Sequence, residues 1–249
     1  MRNKSASLSE CDIQYLVDGN GPSLVCLHPA SGSRITPALE ELMRTFRVYL
    51  PVVPGFDGTP LSPRSATMQQ LGSWIGEFVD SVIGTSVHVS GHSFGGWVAS
   101  WLAVLRPDVV GSLVLQCPAG FGPLVKPEAG ANPAALLART YAHPERRRKE
   151  TKSDEVLAAN RKLAGTYMGE VATDGELVAR LGEVQARTLV LQGRKDGVVP
   201  LASALLLEKL IPRATLVLLD DAAHNIEVDQ PEEYARLVRN FLMAEELHA

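Results

Sequence analysis

Ser93 stands at the centre of Gly91-His92-Ser93-Phe94-Gly95, a Gly-x-Ser-x-Gly pentapeptide. A serine hydroxyl is a weak nucleophile, so attack on a carbonyl there needs an adjacent base. Six histidines could serve: His28, His88, His92, His143, His224 and His248. The base in turn needs a carboxylate to orient it, and Asp108, Asp154, Asp174, Asp196, Asp220 and Asp221 all follow Ser93. Cysteine and metal chemistry have weaker support. The three cysteines, Cys11, Cys26 and Cys117, are odd in number and widely spaced, with no Cys-x-x-Cys pair. They read as buried reduced thiols.

The pentapeptide alone is a moderate signal, since a chain of this size matches it by chance about one time in ten. Its setting sharpens it. The apolar run Val87–Ser90 precedes it, and the apolar helical stretch Trp97–Leu105 follows, ended by Arg106-Pro107. Strand, sharp turn and helix in that order lift a serine Oγ out of a sheet. Gly91 and Gly95 remove side chains where strand and helix converge. The helix N-terminus offers free N–H groups and positive potential to a reacting carbonyl. A turn of Gly and Ser without chemistry is the alternative.

Short β-rich apolar runs recur along the chain: Leu24–Leu27, Val48–Val53, Leu113–Gln116, Leu189–Gln192 and Leu216–Leu219. Each is too short for a helix and apolar on both faces, the pattern of buried parallel strands. Ile13–Val17 is the one persuasive strand before them. Helical periodicity runs from Met68 to Ile83, from Pro200 to Leu210 and from Pro231, where Glu232 and Glu233 occupy the first turn. The alternation predicts an α/β fold, with a mainly parallel central sheet flanked by helices. Residues 121–185 break the rhythm. They hold helical stretches near Pro133–Ala142, Ser153–Met168 and Gly175–Glu183 but no convincing strand, and read as a helical insertion between sheet strands. The basic run Glu145–Lys152 within them reads as a solvated helix face.

GHSFGG after a strand, a loop led by His28, a later strand ending in GRKD and AAHN after another resemble the α/β-hydrolase fold family, over nearly the whole chain. The resemblance implies a core of residues 1–120 and 186–249 and a small helical cap of residues 121–185. It also implies the order nucleophile, acid, histidine, which selects His224 in the loop after Leu216–Leu219. His92 adjoins the nucleophile and points away, His88 lies within a strand, His143 lies in the insertion, and His248 is next to the C-terminus. Asp196, after the turn Gly193-Arg194-Lys195, matches the family's acid position. Asp220 and Asp221 are the runners-up. Asp154 and Asp174 read as helix-start residues, and Asp108 follows a helix end. Arg194 and Lys195 would favour an ionised Asp196 if they stayed close, but read as solvated.

An oxyanion needs preorganised N–H donors. The resemblance assigns one to the backbone of Phe94 and the other, by position, to Ala30 in His28-Pro29-Ala30-Ser31-Gly32-Ser33. The family usually has His-Gly there. Pro29 departs from that pattern and has no N–H to give. His28 should orient this loop by hydrogen bonding. Asp57, in Pro54-Gly55-Phe56-Asp57-Gly58, reads as a turn residue. The implied activity is serine hydrolysis of a carboxylic ester, lactone or thioester of a small organic substrate through an acyl-enzyme, with the cap lining the acyl pocket. A carbon–carbon bond hydrolase or an acyltransferase on the same triad is the alternative, and a ligand-binding receptor of the same fold a more distant one. No cofactor and no metal is implied.

The 249 residues suffice for one large core without disulfides. A formal charge of −4, with acids and bases interspersed, argues against a nucleic-acid partner. The N-terminal residues lack the apolar segment of a signal peptide, and no apolar run reaches the roughly 18 residues of a membrane span. A small-molecule acyl substrate and a cytoplasmic location are the expectations, and homo-oligomerisation stays open.

Overall fold

A computed structural model describes residues 2–62 and 66–244. His248 lies outside the described residues. In chain order the elements begin with strands β1 (Arg2–Ser7), β2 (Asp12–Asp18) and β3 (Ser23–Leu27), then helix α1 (Pro37–Leu42) and strand β4 (Arg47–Val52). Helix α2 (Met68–Phe78), strand β5 (Val87–His92), helix α3 (Phe94–Leu105) and strand β6 (Val110–Gln116) follow. Three helices, α4 (Pro133–Ala138), α5 (Asp154–Met168) and α6 (Gly175–Arg180), occupy the insertion. Strand β7 (Arg187–Gly193), helix α7 (Leu201–Leu210), strand β8 (Ala214–Leu219), and helices α8 (Ile226–Asp229) and α9 (Pro231–Met243) complete the described chain.

The strands form one eight-stranded sheet in the order β1-β2-β4-β3-β5-β6-β7-β8. Only β1 with β2, and β2 with β4, pair antiparallel. The other neighbours are parallel. Side chains alternate across the central strands, and both faces are covered. Val25, Val89, Leu113, Leu115 and Val190 join the core under α2 and α3. Leu24, Leu50, Val114, Leu189 and Leu191 join the core under α1 and α9. That double burial is why these strands are continuous apolar runs. β1 is different: an exposed edge strand without apolar alternation.

Helix starts follow side-chain chemistry. Thr36, Thr67, Asn132, Ser153 and Asp174 each accept a backbone N–H from the first turn of the helix they precede. Pro200 stands one residue ahead of α7, not within it as the sequence suggested, since its ψ of 147° is still extended. α2 ends in one wider π turn, Val79–Ile83, closed by Gly84. No helix of the described residues is long and apolar enough to cross a membrane.

The junction of β5 and α3 leaves no room for a side chain. A Cβ on Gly91 would lie 2.4 Å from the carbonyl oxygen of Gly95, and one on Gly95 would lie 2.3 Å from that of Leu27. Gly165, exposed in α5, has nothing within 4 Å of such a Cβ. Gly95→Ala should therefore lose about 3 kcal/mol or more of stability, because backbone cannot yield as a side chain does. Gly165→Ala should gain up to about 1 kcal/mol from helix propensity. Urea denaturation of the two variants checks both; equal effects would contradict the close-approach argument.

Candidate active site

Ser93 lies between the last residue of β5 and the first of α3, with φ 54° and ψ −113°. A non-glycine residue adopts such a backbone only when its surroundings impose it. Here the Ser93 N–H donates to the Gln116 carbonyl at 2.9 Å. The Ser93 carbonyl accepts from the N–H groups of Gly96, Trp97 and Ala119 at 2.9, 3.2 and 3.1 Å. Both peptide groups flanking the strained Cα are thereby fixed.

Asp196 and His224 follow β7 and β8, at the same C-terminal end of the parallel strands as Ser93 after β5. His224 Nδ1 stands 3.0 Å from Asp196 Oδ2. The Asp196 side chain is only 1% exposed, so its charge depends wholly on protein donors. Oδ1 accepts from Val198 and Val199 N–H at 2.7 and 3.0 Å, and Oδ2 also accepts from Gln192 Nε2 at 3.1 Å. Burial opposes ionisation, but His224 and these backbone donors outweigh it and hold the carboxyl below its ordinary range. Among the described residues, Ser93 Oγ makes no hydrogen bond to His224. Such contacts are commonly long in unliganded sites and tighten around substrate.

The alternative acids face elsewhere. Asp221 meets Lys195 Nζ at 2.6 Å and His143 Nε2 at 2.7 Å, and Asp220 pairs with Arg194. The two basic residues before Asp196 are thus engaged by exposed acids. Asp174 caps α6 and also accepts from the indole N–H groups of Trp97 and Trp101, at 2.7 and 2.8 Å. Asp108 pairs with Arg106 at the surface.

The loop after β3 turns at Pro29, whose carbonyl accepts from Gly32 N–H at 2.9 Å. Ala30 is inside that turn, and its N–H has no partner among the described residues. The N–H of Phe94, first residue of α3, has no carbonyl one turn back to bind. His28 holds the loop from beneath. Its Nε2 accepts from Val53 N–H at 3.1 Å and its Nδ1 donates to the Pro29 carbonyl at 2.9 Å. These bonds require the neutral ring, and burial lowers its pKa to about 4 despite the carbonyl's opposing effect. The missing N–H of Pro29 is therefore no obstacle, because this turn uses only the proline's carbonyl.

Asp57 does more than shape a turn. It adopts φ 54°, and its Oδ2 accepts from Ser33 N–H and Oγ at 2.9 and 2.6 Å. Its Oδ1 meets Asn160 Nδ2 at 2.7 Å and Lys152 Nζ at 2.8 Å. Asn160 returns a bond from its Oδ1 to Asp57 N–H at 2.9 Å and donates to the Ser31 carbonyl at 2.9 Å. Lys152 and Asn160 belong to the insertion, so the insertion is fastened to the loop that carries Ala30. Tyr167 adds a bond from its hydroxyl to the Pro54 carbonyl at 2.9 Å, and its ring centroid lies 6.4 Å from that of Phe94. Leu136, by contrast, is 42% exposed.

Three further residues escaped the sequence reading. Glu227 is buried and accepts from Arg34 and Gln116. Burial opposes its ionisation, but His92 and Arg34 hold it far below the usual carboxylate range. His92 Nδ1 stands 3.4 Å from Glu227 Oε1 without hydrogen-bond geometry. The His92 ring packs 4.9 Å from that of His224, so it turns toward the second histidine from behind. Arg34 also reaches Asn225 Oδ1 and, at 3.1 Å, the Tyr141 hydroxyl of the insertion. Gln116, a polar residue ending an apolar strand, was the visible signal. Arg34 and Glu227 offered none.

A sequence model of the alpha/beta hydrolase family matches residues 24–237. The chain belongs to that family, and its eight-stranded, mostly parallel sheet with flanking helices has the family's architecture. Among named relatives, a pimeloyl-[acyl-carrier protein] methyl ester esterase of Aeromonas hydrophila is 28% identical, covering 90% of this chain and 96% of that one. A 2-hydroxymuconate semialdehyde hydrolase of Pseudomonas putida is 26% identical, covering 94% and 88%. Among solved structures, a bacterial membrane phospholipase A superposes with a TM-score of 0.78 at 23% identity, covering 97% and 85%. A meta-cleavage product hydrolase gives 0.74 at 21%, covering 96% and 97%.

His28 carries a pH signature. Its pKa of about 4 in the folded chain lies below the ordinary histidine value of about 6.5. The unfolded chain therefore binds a proton first, and stability present above pH 6.5 is lost as pH falls toward 4. A shift of this size corresponds to roughly 3 kcal/mol. His28→Gln cannot bind that proton, so its urea midpoint should fall less steeply over the same interval. Parallel wild-type and variant profiles would show that His28 does not titrate in this way.

Proposed function

We propose that this chain is a serine hydrolase that cleaves a carboxylic ester, or a lactone or thioester, of a small organic substrate through an acyl-enzyme. The observation that carries the reading is a serine held at φ 54° on the strand–helix turn, at the same C-terminal end of the parallel strands as a bonded His224–Asp196 pair. Ser93 Oγ attacks the carbonyl carbon while its proton passes to His224 Nε2. The carbonyl π electrons move onto oxygen, and the Ala30 and Phe94 N–H groups stabilise that oxyanion. The acyl C–O bond, or C–S bond of a thioester, then breaks, and the leaving alkoxide or thiolate takes the proton from His224. Water attacks the acyl-serine, gives its proton to His224, and the collapse returns that proton to Ser93 Oγ.

Asp196 stays ionised throughout. It fixes the tautomer of His224 with Nδ1 protonated and stabilises the imidazolium. Similarity to an esterase over nine-tenths of the chain supports ester cleavage. Similarity to a carbon–carbon bond hydrolase supports a second reading on the same residues. Turnover of p-nitrophenyl esters, against cleavage of a vinylogous diketone, separates the two.

A fluorophosphonate should label the protein once per chain, on Ser93, and Ser93→Ala should remain folded and unlabelled. Label on another residue would remove the nucleophile from the scheme.

Asp196→Asn keeps the size of the side chain but reverses the hydrogen bond to Nδ1. It should lower kcat by about three to four powers of ten with little change in KM. Asp221→Asn, whose carboxylate meets Lys195 and His143 and not His224, should lose less than roughly tenfold. The comparison counts when both variants match wild-type circular dichroism. A crippled Asp221→Asn beside an active Asp196→Asn would transfer the acid's role to Asp221.

A further inference from the structure

The basic run of the insertion does not form the helix face read from the sequence. After one short turn, Pro144–Arg146, the chain runs on without regular structure to the N-cap of α5. Residues 146–152 form one wall of a cavity of about 440 Å³. The segment from Ser33 to Pro37 faces them, and Leu16 and Val228 also line the space. Neither Ser93 nor His224 borders it.

The charges on this wall are not balanced. Arg148 pairs with Glu40 at 2.6 Å, Lys152 with Asp57 at 2.8 Å, and Arg34 with Glu227. Arg146 is bonded to a backbone carbonyl, that of Asp229. Arg147 lies over the Tyr141 ring, 4.9 Å from its centroid. Among the described residues, Arg147 and Lys149 have no carboxylate partner. The one acid in the lining, Glu150, is turned to the backbone N–H groups of Thr151 and Lys152, at 2.9 and 3.0 Å. A second, independent sign is Arg34 Nε, which is buried and lacks a hydrogen-bond partner. A buried guanidinium N–H without an acceptor marks a position that an acceptor would occupy at a gain.

The cavity has the size of a small-molecule site, far larger than a bare ion needs. Its apolar members, Leu16, Ile35, Pro37 and Val228, give it a hydrophobic part beside the cationic one. We propose that this cavity, walled by residues 146–152 and Ser33–Pro37, is a second binding site, for a small organic anion. Its ligand has an apolar body and one phosphate or carboxylate group. Arg147 and Lys149 hold the anionic group, and guanidinium suits either oxyanion because its N–H fork matches paired oxygens. Arg34 makes this site adjoin the first without sharing its nucleophile, since its other nitrogens bond Asn225 and Tyr141. The inference does not depend on the role given to Ser93.

Calorimetric titration at low salt with phenyl phosphate, benzoate and phenol tests it. At least one of the two anions should bind saturably, one per chain, and phenol should not. Which anion binds more tightly identifies the group the site takes. Arg147→Ala/Lys149→Ala should weaken that binding by roughly tenfold or more, as loss of charge-assisted bonds would. The same variant should hydrolyse p-nitrophenyl acetate as the wild type does. Arg161→Ala/Lys162→Ala removes equal charge from the exposed side of α5 and should leave binding unchanged. The proposal is overturned if neither anion binds, if phenol binds as well as they do, or if the two double variants behave alike.

Discussion

The positive φ of Ser93 is the condition that the rest of the sheet edge has to meet. Such a backbone costs on the order of 1–3 kcal/mol. It persists because bonds on both sides leave no relaxed alternative. The Ser93 N–H is held by the carbonyl of Gln116, and its carbonyl by three N–H groups. The turn also needs the two glycines, since α3 passes so close to β5 and β3 that a methyl group would enter backbone oxygen. Gln116 then carries the constraint outward. Its side chain donates to the His224 carbonyl at 3.3 Å and to Glu227. The strained serine and the histidine loop are thus referred to one residue at the end of β6.

Two buried carboxylates, Asp196 and Glu227, have different surroundings. Asp196 meets the histidine ring directly and otherwise faces backbone N–H groups and an amide. Glu227 faces Arg34, Gln116 and His92, and so is a buried charge neutralised by a half-buried guanidinium. Removing either partner of a buried pair leaves an uncompensated charge, which is far more costly than the pair is favourable. The Arg34–Glu227 contact therefore fixes where the loop after β3 lies relative to the loop after β8.

The strands were legible because both faces of the sheet are covered, so each appears as an unbroken apolar run. The strand–turn–helix around Ser93 was legible because its glycines must be local. β1 was not, being an exposed edge strand that borrows its order from β2 through Arg2 to Ser7. Asp57 looked like a turn residue because its turn is local, while Asn160 lies 103 positions away. Arg34 and Glu227 lie 193 positions apart and meet only because the parallel strands put the C-terminal ends of β3 and β8 on one side, from which the following loops reach across β5, β6 and β7. Glu145–Lys152 carries charge without apolar periodicity, and its ion-pair partners Glu40 and Asp57 are remote from it in sequence.

The fastening at Asp57 has a mechanical consequence. Asn160 and Lys152 hold the Ser31 carbonyl, and Lys152 also holds that of Ser33, while Asp57 grips Ser33 from the core. The turn that presents Ala30 therefore has one side anchored to the sheet and the other to α5. Lifting α5 away from the sheet edge would unload one side of that turn. The position of α5 and the shape of the loop after β3 are therefore coupled, and neither can shift without the other.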